Sequence, residues 1–431
     1  MKKGSAKSAE FTKSTGFTEP AECPKLSDFK RRREKTFEGM EPQSIAIIHS
    51  GDQKQRSWDQ KYPFTPNRNF LYLTGLDLPR CILLLHKKHD GTGETLLFIE
   101  RPNAHSQLHF GEMKDADYYG AATGISICDY TDRFDFMLQR LLTRTLNIYF
   151  DIDNYGAFEG GYTQTLAASI RSALPHLQFK NIAPIIARLR RFKTEDEITS
   201  IRRAIEITKL GIDSIRENLK PGLMEYQLEA HFDFALRYNG AQGTAFDTIM
   251  ASGANSCTIH YGSNHCKLKK GDVLLMDLGA QYNYYAADIS RTFPVEGTFT
   301  PKQLYFYEAV LETQLHIIEN CLKPGFVHEK TWDEANKILS KWLIKSGEMQ
   351  SESEIRHYLP HGICHFLGLD THDVGEFDLL EPGMVITCEP GVYLSQYGFG
   401  IRIEDDILIT QNGCEVLSAD IAKWPHEIMR G

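Results

Sequence analysis

Between His361 and Glu404 the chain places three histidines (His361, His365 and His372), two glutamates (Glu389 and Glu404) and Arg402. The apolar residues around them, as in Val385-Ile-Thr-Cys388, are those of a buried sheet. Charge embedded in such a run is costly unless it is paired or bound to a metal. Upstream, Asp277 and Asp288 lie on runs of the same kind, Val273-Leu-Leu-Met-Asp-Leu278 and Ala287-Asp-Ile-Ser-Arg-Thr-Phe293. Four carboxylates and a histidine are hard oxygen and nitrogen donors. Such a set suits two divalent cations of the Mn, Co or Zn kind, roughly 3.5–4 Å apart and bridged by carboxylate and water. The competing account pairs the acids with Arg291, Arg402 and lysines as structural salt bridges. Four acids, with histidines at related positions, favour the cations.

Those positions are related by an internal repeat. Leu219-Lys-Pro-Gly222 recurs as Leu322-Lys-Pro-Gly325, and the segment Leu268 to Gly279 recurs as Leu380 to Gly391 with Leu, Gly, Val, a carboxylate and Gly in register. The interval from His260 to Asp277 equals that from His372 to Glu389, since 277 − 260 and 389 − 372 are both 17. Two α/β halves facing each other across a pseudo-two-fold axis are expected. Each presents a histidine and a carboxylate to one central cleft, with His260 and Asp277 the mates of His372 and Glu389. A turn near Gln281 to Asn283 places Asp277 and Asp288 opposite each other on a hairpin, and opposed residues share a face. Glu389 and Glu404 repeat this on a longer hairpin. His365 has no mate and makes the two cation positions unequal.

The elements that position these groups follow from patterning. Residues 1–24 are rich in Ser, Thr, Lys and Glu without periodicity and read as a loose arm. A helix begins near Leu26 with Ser27 as its cap, and its basic run Lys30 to Arg33 reads as a solvated face. Strands are expected at Ser44–Ile48, Phe70–Leu73, Cys81–Leu85, Thr95–Ile99 and Asn147–Phe150, with a helix at Phe134–Leu142. This alternation defines an α/β domain over residues 25–180. Pro63, Pro66, Asn67 and Asn69 form a loop in it, a plain turn or an interface or substrate wall. A helical element from Arg188 to Leu219, with Thr194 as N-cap and acids at 195–197, opens the second domain, 181–431, and a second helix spans Glu225 to Tyr238.

Bulk properties exclude some classes. The 431 residues suggest two or three domains. A net charge of −9 speaks against a nucleic-acid binder. No apolar run approaches the ~18 residues of a membrane span, and the start lacks the apolar core of a secretory signal. Nine cysteines without a CxxC pair suit a reducing cytoplasm. Cys364 and Cys388, beside His365 and Glu389, read as core fillers rather than ligands.

The motifs Met276-Asp-Leu-Gly-Ala280 with Ala287-Asp-Ile-Ser-Arg-Thr292, the run His361 to Gly375, Cys388 to Tyr393 and Gly400 to Asp406 together resemble the pita-bread metallopeptidases: aminopeptidase P, prolidase and methionine aminopeptidase. The stretches Phe29 to Met40, Asn67 to Pro79 and Arg188 to Ile198 resemble the N-terminal and linker regions of bacterial-type aminopeptidase P. The resemblance implies an α/β (α+β) protein, an N-terminal α/β domain followed by a pseudo-two-fold pita-bread domain. It implies the metal ligands Asp277, Asp288, His365, Glu389 and Glu404, with His365 binding only one ion. It places the family's further histidines on His260, His361 and His372, its substrate-site arginine on Arg402, and matches Tyr393. It also implies a homodimer or homotetramer. A short segment between Asp373 and Leu380 departs from the better-known members and leaves one cleft wall open.

The chemistry expected is hydrolysis by a hydroxide bridging two divalent metals, most simply Mn²⁺, with Co²⁺ or Zn²⁺ as alternatives. Glu389 is the general base, and His372 or His361 stabilises the oxyanion. Peptides with proline second are the expected substrates, the ring lying near His260, His361 and Arg402. A prolyl amide has no N–H for ordinary peptidases to engage. The alternatives are an Xaa-Pro dipeptidase, which differs in accepting dipeptides only, and a non-catalytic module that binds peptides or proteins. A full N-terminal domain disfavours a methionine aminopeptidase.

Overall fold

The computed structural model describes residues 26–103, 107, 108, 111, 114–152, 161–376 and 378–429. The arm expected over residues 1–24 lies outside them.

The N-terminal part is a six-stranded mixed sheet, ordered β4-β3-β2-β1-β5-β6. Its strands are β1 (Ser44–His49), β2 (Ile82–Lys87), β3 (Gly93–Ile99), β4 (Ile127–Tyr130), β5 (Asn147–Phe150) and β6 (Gln178–Asn181). Because strand side chains alternate, Ile45, Ile47, Leu84, Leu96 and Phe98 pack on one face with the helix Phe134–Leu142. Ala46, Ile48, Leu83, Leu85 and Leu97 face the other way, into a core continuous with the C-terminal part.

Four expectations need correction. Phe70–Leu73 is not a strand but the middle of a helix, Arg68–Thr74. Asn67 caps it by accepting the Phe70 N–H at 2.8 Å, and Gly75, at φ 72°, ends it. All four apolar residues are buried, so the helix shows no polar face and reads like a buried strand. The first helix, Leu26–Gly39, already contains Ser27, which therefore lies within it rather than capping it. Its basic run is only half solvated. Lys30 and Arg31 are exposed, but Arg32 and Arg33 are buried. Arg32 stacks over the Tyr72 ring at 4.2 Å and pairs with Glu197 at 3.2 Å. Arg33 donates to the carbonyls of Leu73 and Thr123. Both guanidinium groups serve the packing of this helix. The element expected over Arg188–Leu219 is broken: one helix ends at Arg190, and Thr194 starts the next, Glu195–Asn218, with a capping box to Glu197.

The C-terminal part is duplicated. The first half has helices Glu195–Asn218 and Glu225–Tyr238, then β7 (Gly243–Thr244), β8 (Ile249–Ser252), β9 (Val273–Leu278), β10 (Ala280–Tyr282), β11 (Tyr285–Ala286) and β12 (Ile289–Pro294). The second has helices Pro301–Asn320 and Lys330–Lys345, then β13 (Val385–Cys388), β14 (Gly391–Leu394), β15 (Phe399–Arg402), β16 (Asp405–Thr410) and β17 (Gly413–Val416). The repeat extends to single hydrogen bonds. Gly222 N–H donates to Leu268 O at 2.9 Å, as Gly325 does to Leu380 at 2.8 Å. Leu268 donates to Leu223 O at 2.8 Å, as Leu380 does to Phe326 at 2.9 Å. Glu225 donates to Cys266 O, as His328 does to Asp378. Among the described residues, no helix is long and apolar enough to cross a membrane.

Candidate active site

The hairpin register differs from the one expected. β9 pairs with β12 so that Asp277 faces Ser290, not Asp288. The cause is the turn: Tyr282 pairs with Tyr285, and the two residues between them, Asn283 and Tyr284, have φ of 50° and 67°. This primed two-residue turn is centred one residue later than expected, which moves the partner by two. A slip of two keeps the face, so Asp277 and Asp288 are diagonal neighbours that still point together. In the second half Cys388 faces Asp405 and Gly391 faces Arg402. The same register puts Glu389 directly opposite Glu404.

The two hairpins meet along their return strands. Glu404 N–H donates to Ser290 O at 3.0 Å, Asp288 N–H to the Asp406 carboxylate at 3.2 Å, and Arg402 N–H to Thr292 Oγ1 at 3.2 Å. With Asp277 and Glu389 as mates, their register partners Ser290 and Glu404 are mates as well, and the Glu404 N–H to Ser290 O bond lies near the pseudo-two-fold axis. Arg402 is then the mate of Asp288. The second hairpin thus repeats the backbone of the first without repeating its side chains.

The cleft brings the expected residues together in three overlapping groups: Asp277, Asp288 and Glu404; His365, Glu389 and Glu404; and Asp288, His365 and His372. Within each, one donor atom per residue lies within 4.8 Å of the others. The third group adds His372 as a possible donor, a role the sequence did not suggest. Burial, and then the Asp277 charge, lifts Asp288 well above the usual carboxylate range. Burial, followed by Asp288 and Glu389, does the same for Glu404. Glu389 is raised to about 7, chiefly by burial, with Asp288 and Asp277 adding to it against His365 and Arg402.

The cluster fits divalent cations on its own geometry. Asp277 Oδ1 and Glu404 Oε1 are buried without a hydrogen-bond partner, a state that native structures rarely leave unexplained. His365 Nδ1 lies 3.1 Å from the Phe366 carbonyl, which can only accept, so Nδ1 carries the proton. Its Nε2 lone pair then points at Asp288, 3.4 Å, and Glu389, 3.7 Å. A backbone carbonyl that fixes the tautomer in this way is a common arrangement behind metal-binding histidines. The salt-bridge alternative accounts for little: Arg291 pairs with Asp405 at 2.7 Å, and Arg402 reaches Asp277 alone, at 2.6 Å. Cys364 and Cys388 are buried, within the apolar core.

The remaining candidates form a hydrogen-bonded chain. Arg402 Nη1 donates to the Tyr393 hydroxyl at 2.8 Å, which lies 2.8 Å from His361 Nε2. His361 Nδ1 donates to Gly362 O at 2.6 Å. Burial, then Arg402, lowers the His361 pKa to about 4, so the ring is neutral and both its nitrogens are engaged. His372 is an exposed residue, yet partial burial of its ring and then His365, whose ring lies 4.0 Å away, lower it to about 4. His260 is exposed, and its charge bears on both His361 and His372, which places it in the same cleft.

The sequence missed several supporting residues. Ser290 donates to Glu404 at 2.8 Å and accepts from Arg402 at 2.8 Å. The loop carrying His372 is clamped from outside. Arg68 holds Asp370 at 3.1 Å, Arg190 holds Asp370 at 2.8 Å and Asp373 at 2.5 Å, and Lys193 holds Asp373 at 3.1 Å. Arg190 also donates to Asn69, and Asn67 and Asn69 both donate to Asp151. Asn69 therefore belongs to a domain contact, and it lies in the helix Arg68–Thr74 rather than in the expected loop, with Asn67 as the cap of that helix. Charge alternation in Leu369-Asp-Thr-His-Asp373 was the available signal. Gly279 is required by close approach: a Cβ there would run into the Ala287 carbonyl, between the two aspartates. Gly279→Ala is expected to cost about 1–3 kcal/mol and to lower cation affinity, checked by denaturant unfolding and by Mn²⁺ titration.

Fold and site together define a duplicated α/β domain that gathers acids and histidines for divalent cations, covered by an N-terminal α/β domain. The chain belongs to metallopeptidase family M24. The model of that family matches residues 199–411, and that of the aminopeptidase P N-terminal domain matches residues 29–149. The chain is 34% identical to Xaa-Pro aminopeptidase of Escherichia coli (strain K12), covering 93% of this chain and 96% of that protein. A putative aminopeptidase P from Bacillus anthracis superposes with a TM-score of 0.91 at 39% identity, over 94% of this chain and 97% of that one. Zn-substituted E. coli aminopeptidase P in complex with product gives 0.87 at 33%, over 94% and 98%.

Proposed function

We propose that this protein is a metal-dependent Xaa-Pro aminopeptidase, which removes the N-terminal residue from peptides with proline second. The observation that carries the reading is the overlapping groups of four carboxylates and His365, half-buried or buried, in which Asp277 Oδ1 and Glu404 Oε1 have no hydrogen-bond partner. Similarity to Xaa-Pro aminopeptidases over nearly the whole chain supplies the substrate class.

Asp277, Asp288, His365, Glu389 and Glu404 are the ligands in this reading. Two divalent cations held there, Mn²⁺ or else Co²⁺ or Zn²⁺, would act as Lewis acids on the scissile carbonyl and acidify the attacking water. Glu389 takes a proton from that water and returns it to the prolyl nitrogen as the bond breaks. His372, neutral at working pH, donates to the oxygen that becomes negative. His361 is less suited to that task, because both its nitrogens are already engaged. Its role is to fix Tyr393 and, with His260 and Arg402, to wall the proline pocket.

We put the domain boundary near residue 180, a reading supported by the N-terminal sheet ending with β6 at Asn181. Cysteines that are all free thiols among the described residues suit the cytoplasm. A homodimer or homotetramer joined through the N-terminal domain would cover Trp58, which is 99% exposed.

The test is turnover. Mn²⁺-loaded protein should release Arg from Arg-Pro-Pro, and a chelator should abolish this. Brisk cleavage of an Xaa-Pro pentapeptide excludes a strict dipeptidase. If the chelator changes nothing and the loaded protein leaves Arg-Pro-Pro intact, the peptidase reading fails.

A further inference from the structure

Glu225 opens the helix Glu225–Tyr238 and is fully buried, yet it lies outside the cation cluster. Its carboxylate accepts five hydrogen bonds. Oε1 takes the Ser252 N–H at 2.8 Å, the Ser252 hydroxyl at 2.7 Å and the Asn255 amide at 3.0 Å. Oε2 takes the Tyr261 hydroxyl and the Cys266 N–H, both at 2.8 Å. These donors span both ends and the middle of the loop 252–266, which carries His260. Burial alone would raise the pKa of this group; the bonds from Ser252, Cys266 and Asn255 outweigh it and keep the carboxylate charged. A charged acceptor makes each bond stronger than a neutral one.

The loop in turn packs on the substrate side of the cleft. Ile259 and Tyr261 lie against a small apolar cluster of Ile249, Ala251, Leu275 and Tyr393. Tyr393 is the residue whose hydroxyl joins Arg402 to His361. One buried carboxylate therefore fixes the loop that bears His260 and, through Tyr261, holds that loop against the apolar cluster that contains Tyr393.

We propose that Glu225 is a positioning residue for the substrate wall of the cleft, setting His260 and Tyr393 through Tyr261 and the two ends of the loop 252–266. What the wall binds rests on the peptidase reading; that Glu225 orders the wall does not. Tyr261→Phe removes one hydroxyl and leaves the fold intact. Glu225→Gln keeps the shape and turns an acceptor into a donor facing donors.

The full-length, Mn²⁺-loaded chain is compared with both variants by amide hydrogen exchange and by steady-state kinetics on Xaa-Pro peptides. Exchange over 252–266 is expected to rise in both variants, with the helix Glu195–Asn218 unchanged. KM is expected to rise about fivefold for Tyr261→Phe and more for Glu225→Gln, with kcat far less affected. Unchanged exchange over 252–266 in both variants overturns the proposal. So does a fall in melting temperature with KM and kcat intact, which makes Glu225 a bolt of the fold alone. A wild-type chain that cleaves no Xaa-Pro peptide sinks the peptidase reading instead, and the exchange data then decide the role of Glu225.

Discussion

Glu389→Gln is expected to lower kcat on Xaa-Pro peptides by roughly 10²–10⁴-fold, the range a positioned general base supplies. It should also weaken cation binding, since one ligand oxygen becomes an amide. The effect on stability has the opposite sign in the chelated protein. Four carboxylates share this cluster, and Asp288, Glu389 and Glu404 are all held above their ordinary pKa values. A carboxyl raised in the fold keeps its proton longer there than in the unfolded chain. Its contribution is present at low pH and is lost as pH climbs from the unfolded value of 4.5 through about 7. The chelated wild type should therefore unfold more readily at pH 8 than at pH 5.5. Glu389→Gln should flatten that slope and unfold later than the wild type at pH 8. With Mn²⁺ the order reverses, because binding stabilises the wild type by mass action. Unfolding at the two pH values, with chelator and with Mn²⁺, measures all four cases. A Glu389→Gln protein with near wild-type kcat would remove Glu389 from the proton transfer.

The second large effect is on the fold. Arg190 is 3% exposed and joins Asp370, Asp373 and Asn69. Arg190→Ala leaves Asp373, whose side chain is 1% exposed, with Lys193 as its one remaining cationic partner. Breaking a buried pair from one side costs about 3–5 kcal/mol, and denaturant unfolding should show a loss of that size. Activity should fall as well, because Asp370 and Asp373 flank His372. Arg190→Lys should recover little, since a single ammonium cannot span the three acceptors that the guanidinium fork reaches. Full recovery by lysine would show that charge alone, not geometry, holds the loop.

How much of this was legible beforehand depends on the kind of signal. The site was legible because its residues violate the pattern around them: acids inside apolar strands, at repeated spacings. The repeat was legible for the same reason, and the paired bonds at Gly222 and Gly325 follow it. The helix at Arg68–Thr74 was not, since burial on every side erases the polar stripe that marks a helix. Its cap, Asn67, was the signal to read. The hairpin register was missed because a left-handed residue at Tyr284 is an unusual choice for a two-residue turn. The buried roles of Arg32, Arg33 and Arg190 depend on partners as distant in sequence as Asp373, and no local window contains them. Glu225 was hidden likewise: a glutamate in a first helical turn already has a local reason to be there.

The strand register has one more consequence, for the charge of the site. Two-fold symmetry makes Arg402 the counterpart of Asp288. Four ionised acids and one guanidinium give −4 + 1 = −3. With an acid in place of Arg402 the sum would be −5, and two dications would leave it negative. As the chain stands, the two dications of the proposed reading would bring −3 + 4 = +1, and the hydroxide that attacks would take this to zero. The proposed loaded cleft would then be neutral, where an acid at 402 would leave it repelling both the hydroxide and the carbonyl oxygen as it turns anionic. The two halves share matching strand pairs, and the opposite charges at this one mated position make their contributions to the site unequal.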